Sequence, residues 1–338
     1  MPVEVEAVTA PVQLQPRTAP KPQKVDEGAI DAGVLVIGSI NMDLVVRSDH
    51  MPRPGETIIG SQFVTSPGGK GANQAVAAAR LAGGCTMIGR VGDDVFGRQL
   101  IENLDRAGVL TTHVRVTRAC ASGVAVISVD KSGENAITVV SGANGLVSPD
   151  DVTALEEVIA AAKIIVLQLE IPLPTVCRAI QLARRHGVPV VLDPAPAPQC
   201  GLPDDLFHVD ILTPNQTEAE LLTGEPVAGV TEAKIVGAEL VRRGAANVVI
   251  KLGEAGEVIV TMEGEVEHVP AFKVDVVDTT AAGDAFTAAM AVGRAQGLPL
   301  RDAVRMGCAA GALAASAFGA QQSMPQRGAV ERLLRSRM

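Results

Sequence analysis

From Gly33 onward the chain alternates short continuous apolar runs with longer Ala-rich or amphipathic stretches. Val34–Ile40 (VLVIGSI), Ile164–Leu169 (IIVLQL), Val188–Asp193 and Asn247–Leu252 are six or seven residues of mostly β-branched and aliphatic side chains with little polar interleaving. That is the pattern of strands buried on both faces. A further short strand is expected around Ile211. Helical periodicity predicts helices at about 73–82, 95–107, 175–186, 232–243, 283–296 and 301–317. Strand and helix in turn predict an α/β fold: a central, mostly parallel sheet with helices on both faces.

Two stretches break this rhythm. Residues 44–64 and about 113–140 read as strands with turn signals and no helix between them. In the second, Gly123–Val129 and Ala136–Val140 are separated by Asp130-Lys131-Ser132-Gly133, a hairpin turn by composition. A small antiparallel β-sheet is predicted, either a lid over a site at the strand ends or an ordinary extension of the sheet. Residues 1 to about 30 carry five prolines and little periodicity, which predicts a flexible tail ahead of one domain over 31–338. The tail has no apolar core of a secretory signal.

Composition narrows the function classes. The 338 residues are 47% hydrophobic and 20% charged, with six Phe and neither Trp nor Tyr, so the core must be aliphatic. Mean hydropathy is +0.26, the net charge −9 and the pI about 5.2. Without basic runs or stacking aromatics, nucleic acid is not an expected partner. No apolar run reaches the roughly 18 residues of a membrane helix. The five cysteines (Cys85, Cys120, Cys177, Cys200 and Cys308) form no C-x-x-C pair, and the five histidines are scattered, so thiols in a reducing cytoplasm are expected and a zinc site is not.

Neither G-x-x-x-x-G-K-[ST] nor G-x-G-x-x-G occurs. The strongest candidate for anion chemistry is DTTAAGD at 278–284, after a strand-like run Phe272–Val277 and before an apolar helix. Small residues at a helix start leave backbone N–H groups pointing outward, so Ala281, Ala282 and Gly283 could cradle a phosphoryl group. Asp284 beside it could take a proton from an attacking hydroxyl. A plain helix cap has the same local pattern. PGGKGANQ at 67–74 lets a ligand touch the backbone, with Lys70 and Asn73 offering bonds to hydroxyls; a flexible turn reads the same way. GSINMD at 38–43 ends the first strand, where open α/β sheets bind ligands, and Asn41 and Asp43 could grip two hydroxyls or make an Asx turn. Asn215 and Glu218 in TPNQTE could hold a hydrated Mg²⁺ or form a capping box. Glu170 is another carboxylate at a strand end, and KLGEAG at 251–256 is a glycine-bearing turn able to pass over a nucleotide or to close a hairpin.

Taken together and in this order, GSINMD, PGGKGANQAVAAARLAG, GRVGDD, LQLEIPL, LDPAPAP, TPNQTEAELLTG, DTTAAGDAF and GAQQSMP resemble the ribokinase family of PfkB carbohydrate kinases, over about residues 33–335. The resemblance implies a ribokinase-like fold with a β lid that often makes a homodimer, and transfer of the terminal phosphate of MgATP to the 5-hydroxyl of D-ribose. Carried over motif by motif, Asn41, Asp43, Gly69, Lys70, Asn73 and Glu170 would bind the sugar. Asp284 would be the base and Ala281, Ala282 and Gly283 the anion hole. Asn215 and Glu218 would serve phosphate and Mg²⁺. Lys251, Leu252, Gly253, Glu254, Ala255, Gly256 and Gly307 would meet ATP. An activating K⁺ would use Asp278, Thr280, Ala314, Ala317, Gly319 and Ser323, several through carbonyls. Gln216 departs from the family pattern, where Glu is frequent. Other sugars of the superfamily, deoxyribose, fructose or a nucleoside, are the alternative substrates.

Overall fold

The computed structural model describes residues 33–336 except Cys200; the expected tail lies outside the described residues. The first half runs β1 (Val34–Ile37), β2 (Asn41–Arg47), β3 (Gln62–Gly68), α1 (Lys70–Ala82), β4 (Cys85–Gly92), α2 (Val95–Arg106), β5 (Val109–Thr117), β6 (Gly123–Val129) and β7 (Asn135–Val140). Then follow α3 (Pro149–Thr153), α4 (Glu156–Ala161), β8 (Ile164–Leu167), α5 (Leu173–His186), β9 (Val190–Leu192), β10 (Ile211–Leu212), α6 (Gln216–Thr223) and α7 (Val230–Arg242). The chain closes with β11 (Asn247–Lys251), β12 (Glu257–Thr261), β13 (Val266–Val269), α8 (Ala282–Ala295), α9 (Leu300–Ala315) and α10 (Arg327–Arg335).

Among the described residues the large sheet has nine strands in the order β13-β12-β11-β10-β9-β8-β1-β4-β5. From β11 to β5 every pairing is parallel, while β12 and β13 are antiparallel additions at one edge. The continuous apolar runs serve two cores at once. Val34 and Val36 face one cluster and Leu35 and Ile37 the other; Ile164 and Val166, against Ile165 and Leu167, repeat the split. Helices α1, α8 and α9 cover the first face, and α5 and α7 the second. This is why the strands show no polar alternation.

β4 and β5 lie to one side of β1, and the chain then returns to place β8 on the other. The carboxyl ends of β1 and β8 therefore form the switch point of the sheet, the crevice where such folds take ligands.

A second sheet, β3-β2-β6-β7, stands beside this crevice. Its pairing and its membership differ from the sequence expectation: β2 and β6 run parallel, because β6 enters from the large sheet rather than through a hairpin, so only the outer pairings are antiparallel. Residues 113–117 belong to β5, which pairs with β4 in the large sheet, and the small sheet begins already at Asn41. The apolar pattern of β5 suits either sheet; its parallel register against β4 decides the matter. The hairpin through Asp130–Gly133 joins β6 to β7 as expected. The strand-like run Phe272–Val277 is irregular: it leaves the sheet edge, and the N–H groups of Val277 and Asp278 bond the Ala315 carbonyl at the end of α9 instead.

Candidate active site

Two helix N-termini meet above the switch point. α1 begins one residue after Gly69, which adopts φ 88°, a conformation open to glycine and costly for other residues. A Cβ on Gly69 would stand 2.7 Å from the Asn41 nitrogen, and one on Gly71 would stand 2.6 Å from the Ser39 nitrogen. These glycines let the first turn of α1 settle on the β1–β2 connection. The helix thus starts at Lys70, three residues earlier than periodicity suggests, and buries Asn73 and Gln74 in that turn.

Opposite lies the start of α8. Its N-cap, Ala281, has φ 59°, one of two non-glycine residues with positive φ among the described residues. The Ala282 N–H turns back to the Thr279 carbonyl at 3.2 Å. This takes the Ala282 N–H out of the expected cradle, while the Gly283 and Asp284 N–H groups remain as outward donors of the first turn. Gly283 is exposed, whereas Asp284 is only 5% exposed.

Asp284 is held from α1: Asn73 Nδ2 donates to Oδ2 at 2.9 Å and Gln74 Nε2 to Oδ1 at 3.0 Å. Burial pushes its carboxyl up to about 6, against the pull of Lys70 and the two amides. Burial would lower the Lys70 ammonium, but Asp284, Asp193, Glu170 and Glu218 outweigh it and the net shift is upward. Asp43 faces the same space from β2. Burial, then the charges of Glu170 and Asp284, push its carboxyl up to about 7. Glu170, just beyond β8, accepts from the Lys70 N–H at 3.0 Å and from Ser39 Oγ at 2.5 Å. The structure therefore brings Asp43, Lys70, Asn73, Glu170 and Asp284 together.

Asn41 is oriented by a residue the sequence did not single out. Asn144 Nδ2 donates to Asn41 Oδ1 at 2.7 Å and to the Ile40 carbonyl at 3.1 Å, while its own oxygen accepts from the Ile40 N–H at 2.9 Å. The Asn41 oxygen is thereby occupied and its NH₂ group is left to donate. A cavity of about 440 Å³ opens beside Asn41 and Glu170, walled by Leu169, Ile171, Pro172 and Val139.

Asn215 and Glu218 make a capping box: each side chain accepts from the other's N–H at 2.8 Å. One Glu218 oxygen lies outside that bond, and burial raises the carboxyl despite Lys251 nearby. Gln216 points away, donating to the Val227 carbonyl at 2.9 Å. Leu252–Gly256 forms a tight 3₁₀ turn joining β11 to β12, with Gly253, Glu254 and Ala255 exposed. Gly307 is buried in α9, where a Cβ would meet the Phe286 ring at 2.7 Å, and its neighbour Cys308 reaches Glu257, the residue directly after that turn, at 2.6 Å. Asp278 ties its own loop to the end of α9, accepting from the Thr280 N–H at 2.9 Å and the Gly319 N–H at 3.0 Å. Burial opposes these bonds, yet they hold its carboxyl below the usual range. Ala314 and Ser323 are buried beside this junction, and Ala317 donates to the Ala314 carbonyl.

Sequence reasoning also passed over Gln74, Gln168 and Asp193. All three stand inside quoted motifs, PGGKGANQ, LQLEIPL and LDPAPAP, and that placement is the available signal.

The chain resembles known proteins over most of its length. The profile of the pfkB family carbohydrate kinases matches residues 31–327. The chain is similar to a deoxyribokinase of Salmonella typhi, 39% identical over 292 residues that cover 86% of this chain and 95% of that protein. It is similar to a ribokinase of Haemophilus influenzae, 41% identical over 295 residues covering 87% and 95%. Among solved structures, the ribokinase of Arabidopsis thaliana complexed with ribose and ATP superposes with a TM-score of 0.83 at 35% identity, covering 90% of this chain and 99% of that one.

Proposed function

This chain belongs to the pfkB family of carbohydrate kinases, and from that premise we propose that it is an ATP-dependent pentose kinase acting on the 5-hydroxyl of D-ribose. The observation that carries the reading is Asp284: a buried carboxylate aimed by Asn73 and Gln74, next to the outward N–H of Gly283. The sugar hydroxyls engage Asp43, Glu170, Lys70 and the Asn41 amide. The 5-hydroxyl attacks the γ-phosphorus in line. A bond forms from O5 to phosphorus, the bond from phosphorus to the β–γ bridging oxygen breaks, and ADP leaves. The O5 proton passes to Asp284, a step worth roughly 10²–10⁴-fold. The Gly283 and Asp284 N–H groups receive the charge on the transferring group.

Nucleotide phosphates run from the Gly283 end toward Asn215 and the Leu252–Gly256 turn. Among the described residues no cluster of three or more His, Cys, Asp or Glu could hold a metal alone. Mg²⁺ would therefore travel with the phosphates, with Glu218 as a partner through water, and would neutralise phosphate charge when bound. We assign a K⁺ site to the Asp278–Thr280 turn and the segment around Ala314, Ala317, Gly319 and Ser323, supported by the bond joining Asp278 to Gly319.

The small sheet acts as a lid, and its apolar row Val64–Val45–Ile127–Ile137, exposed at both ends, supports a homodimer formed through it. Use of ATP and release of a phosphorylated sugar suit a cytoplasmic enzyme. Among the described residues no helix is long and apolar enough to cross a membrane.

The similarity to a deoxyribokinase makes 2-deoxy-D-ribose the second substrate to test. ADP release would be followed with ribose, deoxyribose, fructose and inosine, with and without K⁺, and the product located by ³¹P NMR. Ribose turnover with phosphate on C5 is expected. A deoxyribose kcat/KM above that for ribose would reassign the sugar, and ATP turnover that no sugar stimulates would sink the kinase reading.

A further inference from the structure

A buried ion pair at the same strand ends has no catalytic part in the scheme above, where Lys251 stands only among the residues expected to meet ATP. Lys251 closes β11, where its N–H donates to the Pro214 carbonyl at 2.9 Å and its backbone bridges in parallel to Asn215. Its ammonium reaches Asp193 Oδ1 at 2.8 Å, and the two side chains are 12% and 2% exposed. The other Asp193 oxygen accepts from Gln74 Nε2 at 2.9 Å. That same NH₂ group donates to Asp284, and its orientation is set by Gln168 Nε2, which donates to Gln74 Oε1 at 2.6 Å. Base, amide, carboxylate and ammonium thus form one chain of buried contacts.

The ammonium also looks onto the anion cradle. A Cβ built on Gly283 would lie 3.8 Å from Lys251 Nζ. Gly283 has no side chain, so that space is open to a phosphoryl oxygen bonded to its N–H. We propose that Lys251 is a catalytic residue: its ammonium contacts the transferring phosphoryl group, while Asp193 acts as the positioning residue that holds it there. This rests on the kinase reading of the site. In a loose phosphoryl-transfer transition state charge gathers on the three equatorial oxygens, and a cation fixed in advance stabilises that charge without reorganising. The step moves no proton at Lys251 and leaves its covalent structure unchanged. The arrangement also accounts for a paired charge in a place where an apolar pair would serve packing as well or better.

The test compares Lys251→Met, the double variant Asp193→Asn/Lys251→Met, and Lys251→Arg with the parent protein. The double variant strands no buried charge, so its melting temperature should stay near the parent value. By analogy with a lost oxyanion donor, kcat should fall roughly 10²-fold or more in both methionine variants. Dissociation constants for ribose and ADP, neither of which carries a γ-phosphoryl group, should stay within about threefold. Lys251→Arg should recover part of kcat. A double variant that keeps kcat within about fivefold overturns the assignment, as does one whose ADP affinity falls as far as its kcat. If the parent itself transfers no phosphate, the kinase reading fails and takes this inference with it; an active parent with unmoved variants removes this inference alone.

Discussion

Replacing Asp284 with asparagine should slow the enzyme and make it more stable. The carboxyl titrates at about 6 in the folded chain against an ordinary 3.8. Two units correspond to about 3 kcal/mol held against the ionised form at neutral pH, a figure that already contains the attraction of Lys70. The sign follows from the order of ionisation. Below both values the folded and unfolded carboxyls are protonated and nothing is lost. As pH rises from 3.8 toward 6 the unfolded chain ionises first and stability falls; above 6 the full cost persists. Asparagine removes that cost. It also presents an NH₂ group to either Asn73 Nδ2 or Gln74 Nε2, each of which now donates to a carboxylate oxygen, and the mismatch costs about 1–2 kcal/mol. The net expectation is a gain of about 1–2 kcal/mol at pH 8 that disappears near pH 4, with kcat down roughly 10²–10⁴-fold. Urea unfolding at the two pH values, beside steady-state turnover, measures both. Turnover within tenfold of the parent would refute the base assignment; a variant less stable at pH 8 would refute the electrostatic account of the site.

The acid limb of kcat/KM should fall as pH drops through the range from about 7 to about 6, since Asp43 and Asp284 must both be ionised and carry those values. The two charges interact, so the limb belongs to the pair; a pH–rate profile that stays flat down to pH 5 would contradict it. Ala281→Gly should raise stability by about 1 kcal/mol, because a left-handed alanine costs about that much and glycine does not. The backbone N–H groups of the cradle stay in place, so kcat should be nearly unchanged, and a lower melting temperature would count against strain at this cap.

Much of the fold could be read from the chain because buried parallel strands and Ala-rich helices write long, unambiguous signals. Where the reading slipped, two structures shared one pattern. Val109–Thr117 has strand character that fits the small sheet or the large, and only pairing with β4 distinguishes them. Lys70–Gly71–Ala72 carries two poor helix signals, glycine and a preceding glycine cap, yet helix α1 includes them because its first turn is wedged against Ser39 and Asn41. Local propensity was overridden by a tertiary contact.

The site divides along the same line. Residues whose role is to present backbone or charge at the end of an element, such as Gly69, Lys70, Glu170 and Asp284, lie in motifs that announce such ends. Residues whose role is to orient another side chain carry no local sign of that role, even where, like Gln74, they stand inside a motif. Gln74 reaches Asp193, 119 positions away, and Asp284, 210 positions away, with a single NH₂ group. Asn144 fixes the Asn41 amide from 103 positions away. In each case a buried polar side chain needs a partner that only the folded chain supplies. Asn215 and Glu218 show the converse. The sequence allowed a capping box or a metal site, and the structure makes the box without using up the second Glu218 oxygen. One pair can therefore end a helix and still face the phosphates. A local pattern read as structural and a local pattern read as functional need not compete where helix N-termini themselves form the site.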